Sequence, residues 1–192
     1  SGVTYSTYLN TFKFAFLGWL FTVTIGFTLA YFLAFHVRTL RWQIILFLIC
    51  TIPFWTSNII RMIAWIPVLG RNGLMNSLLL ELGVIGEPLE WLLYSDFAVI
   101  LAFVHLYTLF MLVPIFNSMM RIDKSIIEAA QDMGANSLQI LINIIIPLCL
   151  PGIAIGTIFV VSLIMGDFIT VQAMSGGQSA SVGLAMNNKR AL

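Results

Sequence analysis

Two histidines, two cysteines and eight carboxylates are the residues of this chain best able to make or break bonds, and their spacing excludes most such chemistry. His36 and His105 are separated by a whole apolar run and lack companions at ligand spacing, which argues against a metal site. Cys50 and Cys149 lie inside apolar runs and read as small packing hydrophobes, not as a disulfide framework. No nucleophile is paired with a base, and no phosphate-binding G-x-x-x-x-G-K loop occurs; Gly176-Gly177-Gln178-Ser179 is a turn signal. Neither an intrinsic enzyme activity nor a cofactor is expected. His105 remains, near the middle of a long apolar run, where an ionisable ring is costly unless it faces a bundle interior. It either bonds a neighbouring helix or lies on a path through the protein.

A second constellation is mechanical. Ser125 and Glu128 stand in the S-x-x-E spacing of a capping box, which starts a helix. Gly134 can take the left-handed conformation that closes it, so Ile126 to Met133 reads as roughly two turns, about 12 Å long. Asn136 or Ser137 can cap the helix that follows. Ile126, Ala129, Ala130 and Met133 fall on one face, where the two alanines let another surface come close. This is the pattern of a docking helix.

The elements that carry these residues are membrane spans. Of 192 residues 60% are hydrophobic and 9% charged, which predicts an all-α, polytopic membrane protein. A net charge of +1 with no basic block argues against nucleic acid as a partner. Spans are predicted near 14–35, 42–60, 97–116 and 148–165. In the first, Gly18, Thr22, Gly26, Ala30 and Ala34 make a small-residue stripe for a neighbouring helix. In the second, Pro53 predicts a bend, followed by Thr56, Ser57, Asn58 and Arg61. Gly73 to Val84 is too short to span and reads as a re-entrant or interfacial helix. No basic region with a cleavage site precedes the first span, so no signal peptide is read, and the Ser1-Gly2 opening suggests a truncation.

Glu128-Ala129-Ala130, three residues, Gly134, nine residues, Ile144, one residue and Ile146-Pro147 together resemble the EAA loop of the membrane-spanning subunits of binding-protein-dependent ABC importers. The departure is Ile146 where Leu is usual, which keeps bulk and polarity. The resemblance implies a type I ABC importer transmembrane domain in a bacterial inner membrane. Residues 121–147 would be its cytoplasmic coupling loop, with Ser125, Glu128, Ala129, Ala130, Gly134 and Pro147 serving the contact to a separate ATPase subunit. It further implies a second permease subunit, a soluble substrate-binding protein, and one more span at each end of the full-length chain. With that loop inside, four basic residues face the cytoplasm and five the other side, including Lys189 and Arg190, so charge alone does not orient the chain.

Three further runs, Pro53-Phe54-Trp55-Thr56-Ser57-Asn58, Gly73-Leu74-Met75-Asn76 and Gly166-Asp167-Phe168 with Gly176-Gly177, are similar to those of spermidine and putrescine permeases. A polyamine needs carboxylates and aromatic faces in place of its hydration. Asp167, at the outer end of the fourth span, and Trp55 and Asn58, in the outer part of the second, are the expected contacts, with His105 a further candidate. Against this stand plainer roles: Asp167 as a helix cap or partner of Arg61, and Trp55 as an interfacial anchor. Two other classes compete. An ion-driven secondary transporter should show paired broken helices and an intramembrane carboxylate relay. A non-transporting scaffold would leave the docking helix and the polar cluster of the second span unexplained.

Overall fold

The computed structural model describes residues 2–175, so the turn at 176–179 and the charges Lys189 and Arg190 lie outside the described residues. Helix α1 runs from Gly2–Tyr31 and continues as a π-helical turn, Phe32–His36; α2 is Leu40–Thr51, ending in the 3-10 turn Ile52–Trp55. Helix α3 is Asn58–Leu69, α4 Leu74–Glu81 and α5 Asp96–Met120. Helices α6, Lys124–Asp132, and α7, Ser137–Ile140, lead through a π-helical turn, Leu141–Ile145, into α8, Ile146–Gly166, and the short α9, Phe168–Met174, follows. Among the described residues three helices, Tyr8–His36, Asp96–Met120 and Ser137–Gly166, are long and apolar enough to cross a membrane.

Side-chain size explains how these three pack. The whole stripe Gly18, Thr22, Gly26, Ala30 and Ala34 is buried. A Cβ on Gly18 would fall 2.6 Å from Ile164 Cδ1, and one on Gly26 would fall 3.2 Å from the Leu112 amide nitrogen. Here α1 lies against α5 and α8, as a small-residue helix interface requires. A second small pair, Gly152 and Gly156 in α8, lets that helix reach α5: a Cβ on Gly152 would lie 2.5 Å from the Pro114 carbonyl oxygen. Phe14 meets Phe103 edge-on at 6.4 Å, and Trp19 Nε1 donates to Thr157 Oγ1 at 2.8 Å. The core is thus α5 held between α1 and α8.

The second predicted span is not a single helix. Leu40–Trp55 and Asn58–Glu81 meet at an angle of 88°, with extended backbone at Thr56 between them. Pro53 lies in the tight turn that precedes this corner, so the predicted bend is a full break and Asn58 and Arg61 belong to the helix beyond it. Ring contacts set its level: Phe47 stacks on Phe116, Phe54 meets Phe110 at 5.4 Å, and Trp65 meets His105. The corner therefore lies beside the middle of α5.

The short helix predicted within Gly73 to Val84 is α4. Its Asn76 is buried at 1% exposure, donating to the Gly70 and Leu89 carbonyls and accepting from the Leu89 amide at 2.8 Å. The Gly73-to-Asn76 run thus pins a loop. Within residues 121–147 the second half is helical and continuous with α8, as a helix capped at Asn136 or Ser137 requires. Pro147 sits in the first turn of α8 just after the widened π turn, where the missing amide donor disturbs the ladder least.

Candidate functional site

Two helix breaks converge on the middle of α5. One is the α2–α3 corner; the other is Asp167, extended at φ −83° and ψ 103°, where α8 stops and α9 begins. The Asp167 carboxylate accepts from the Tyr107 hydroxyl at 2.5 Å, the Thr170 amide at 2.9 Å and the Thr170 hydroxyl at 2.7 Å. It is therefore a helix cap, one of the plainer roles, and also more. A carboxylate offers about four lone-pair sites, so three donors leave room for a further cation contact. Asp167 follows the last residue of the fourth span, as expected, and because Tyr107 lies about half-way along α5 its carboxylate is level with the middle of that helix.

Asp167 lines a cavity of about 340 Å³ with Asn58, Met62, Tyr107, Ser162 and Gly166. The C-terminal turn of α8 ends there, and the partial negative charge of its free carbonyls favours a cation. Asn58 and Asp167 are thus brought together as the sequence suggested, with Tyr107 as an unforeseen third member. Tyr107 sits two positions after His105 in an apolar run, where no local pattern marks it out.

Trp55 and His105 belong elsewhere. Trp55 is 85% exposed and lines a separate, largely apolar cavity of about 760 Å³ with Phe110, Pro114 and Arg121. His105 Nδ1 accepts from Trp65 Nε1 at 3.0 Å, the neighbouring-helix bond that was one of its two readings, and it lines a third cavity with Arg61. Arg61 is only 8% exposed; its guanidinium donates to Asn58 Oδ1, while its Nε has no hydrogen-bond partner among the described residues.

At the other end of the chain's functional map, α6 starts differently from the expected capping box. Asp123, not Ser125, is the cap, accepting from the Ser125 amide at 3.0 Å. Hydrogen bonding to Ser125, from the backbone first, holds the Asp123 carboxyl below the usual range. A carboxylate two residues upstream outcompetes the Ser125 hydroxyl for the free amides. The reciprocal box is found at Asn136 and Gln139 instead, opening α7. Gly134, at φ +86°, closes α6, with the Ala135 amide donating to the Ala130 carbonyl at 3.0 Å. Ala130 is buried toward the chain's own core, so the outward face carries Glu128, Ala129, Ile126 and Met133, the last 83% exposed. Pro147 lies further along, beyond the π turn.

Residues 16–188 match the family described as binding-protein-dependent transport system inner membrane component. The spermidine/putrescine transport system permease protein PotB of Escherichia coli K12 is 36% identical over 175 residues, covering 91% of this chain and 62% of the relative. The protein of the same name from Haemophilus influenzae is 32% identical, covering 74% and 50%. The E. coli inner membrane ABC transporter permease protein YdcU is 28% identical, covering 88% and 56%. This chain therefore spans under two thirds of the length of these relatives.

Proposed function

The chain belongs to the inner membrane components of binding-protein-dependent transport systems, a multi-pass family, and on that premise we propose that it forms the translocation path of an ABC importer for polyamines such as putrescine or spermidine. The observation that carries the reading is the Asp167 carboxylate, level with the middle of α5 where two helices break and sharing a cavity with Asn58 and Tyr107. Half-helix ends and a carboxylate can exchange contacts with an ammonium group for its water shell. Similarity to proteins named for spermidine and putrescine transport supports the same substrate class.

ATP hydrolysis belongs to a separate subunit on this reading. Helix α6 offers that ATPase a rigid, doubly closed helix with Ile126, Ala129 and Met133 outward, so motion there passes along the continuous helix Ser137–Gly166 to the Asp167 break. A second permease subunit and a soluble binding protein complete the assembly. Paired helix breaks are also what an ion-driven carrier would show, but the EAA spacing and the similarity to a protein named as an ABC transporter permease favour ATP as the energy source. Uptake of labelled putrescine and spermidine by the full-length permease, reconstituted with ATPase and binding protein, tests the reading. ATP-dependent accumulation is expected; accumulation of neither solute would remove the polyamine assignment.

A further inference from the structure

The cavity of about 760 Å³ that Trp55 lines is a groove with two unlike ends. Its floor is one face of α5, where Leu109, Val113, Asn117 and Arg121 recur every fourth residue, so it runs about 18 Å along that helix. The end of α2 forms one wall, and Pro151, Ile155 and Phe159 of α8, again four apart, form the other. Level with the middle of α5 the groove is aromatic: Phe54 and Phe159 meet Phe110 at 5.4 and 6.5 Å, and Trp55 stands 85% exposed beside them. The end toward α6 carries Asn117, Ser118 and the exposed Arg121, which has no ion pair among the described residues. Between the two ends the lining is apolar, because the Thr51 hydroxyl is spent on the Leu48 carbonyl at 2.7 Å. The length suits one leaflet's share, about 15 Å, of a bilayer's hydrocarbon core. The charge then decides the occupant. No carboxylate lines the groove, so a polyamine would meet only a like charge, and an apolar partner helix would leave Arg121 without a counter-charge. A phosphate would meet the guanidinium at headgroup level, with its acyl chain along the apolar floor. We propose that this groove binds one acyl chain of an anionic phospholipid from the leaflet on the α6 side, its phosphate on Arg121 and its chain end against Phe54, Trp55 and Phe110. The site stands on the family's place in a membrane and not on the polyamine reading.

The test uses the full-length permease–ATPase complex in detergent and phosphatidylglycerol carrying a photoreactive diazirine near the end of one chain, with labelled peptides mapped by mass spectrometry. Label is expected on the peptides that hold Trp55 and Phe110. The phosphatidylcholine analogue, whose headgroup has no net charge, should label them about fivefold less, the effect of one basic residue on an anionic lipid. Phosphatidylglycerol on R121Q should fall by a similar factor, and R121K should restore most of the label. Labelling elsewhere on the chain serves as the reference for lipid that merely surrounds the protein, and it should not follow these changes. Equal label from both lipids at Trp55 and Phe110, or label indifferent to R121Q, is ordinary bilayer contact and overturns the site. Where R121Q does not assemble, I155W decides, since its ring fills the middle of the groove from α8 and leaves Arg121 in place. Label at Trp55 and Phe110 should then drop while label elsewhere persists; undiminished label overturns the proposal. High-yield cross-linking of W55C to the second permease subunit by a short bifunctional maleimide also overturns it, because the groove would then be a subunit interface.

Discussion

Asp167 and Tyr107 carry the account at the scale of single residues. The Tyr107 hydroxyl donates to the carboxylate across the α5–α9 contact, so Tyr107→Phe removes one of its three donors while leaving the ring in place. A hydrogen bond to a charged group is worth about 1.5–3 kcal/mol. The freed lone pair becomes available to solute, so Tyr107→Phe should retain assembly, measured by co-purification with the ATPase, yet slow release and lower maximal spermidine uptake several-fold. Normal maximal uptake would show that the Tyr107 bond is purely structural. Asp167 and Asn58 were legible because polar side chains are conspicuous in apolar runs. Tyr107 and Arg61 stood in view but without distinction, since their meaning depends on which helices meet. Trp55 drew attention as an aromatic in a run similar to polyamine permeases and His105 as an ionisable ring in the middle of an apolar run, and the fold sends them to other cavities.

Among the helices, closing residues and small-residue contacts were legible locally, and the choice between neighbouring caps was not. Gly134 was identified from its place after an amphipathic turn, and its φ of +86° bears this out. A β-branched residue there is strained by roughly 1–2 kcal/mol. Gly134→Val should therefore fray α6, with normal membrane insertion but weakened ATPase association in pull-down; unimpaired association would separate α6 from coupling. The cap was misassigned because Asp123 and Ser125 both have cap chemistry and only backbone geometry chooses between them. Its lowered carboxyl contributes stability that is fully present above the unfolded carboxylate range and is lost as pH falls through the folded value. Amide exchange in α6 should accelerate in acid, and Asp123→Asn, also a good cap, should abolish that dependence. Small-residue contacts obey the same local logic. The α1 stripe was visible, and the four-residue spacing of Gly152 and Gly156 was an equally available signal for the α5–α8 contact. Gly156→Leu must displace Met111 and should destabilise the bundle by about 1–3 kcal/mol, read as a lower thermal midpoint of the purified complex.

For the molecule as a whole, composition and the EAA spacing were enough for the membrane class and the family, because both survive in one dimension. The site was not, because it is made by two breaks remote in sequence: Pro53 announced a bend but not an 88° corner, and the end of a span at Gly166-Asp167 was legible while its approach to the middle of α5 was not. These breaks place a carboxylate where the long helix that follows α6, Ser137–Gly166, comes to an end. In the proposed function this one rod joins cation handling to ATPase coupling. The most direct measurement compares labelled spermidine uptake with ATP hydrolysis in the same proteoliposomes, for wild type and Asp167→Asn. The account predicts that Asp167→Asn loses most of its spermidine uptake, and less of its putrescine uptake, while hydrolysis stimulated by the binding protein falls much less. Equal uptake of both solutes by variant and wild type would contradict it.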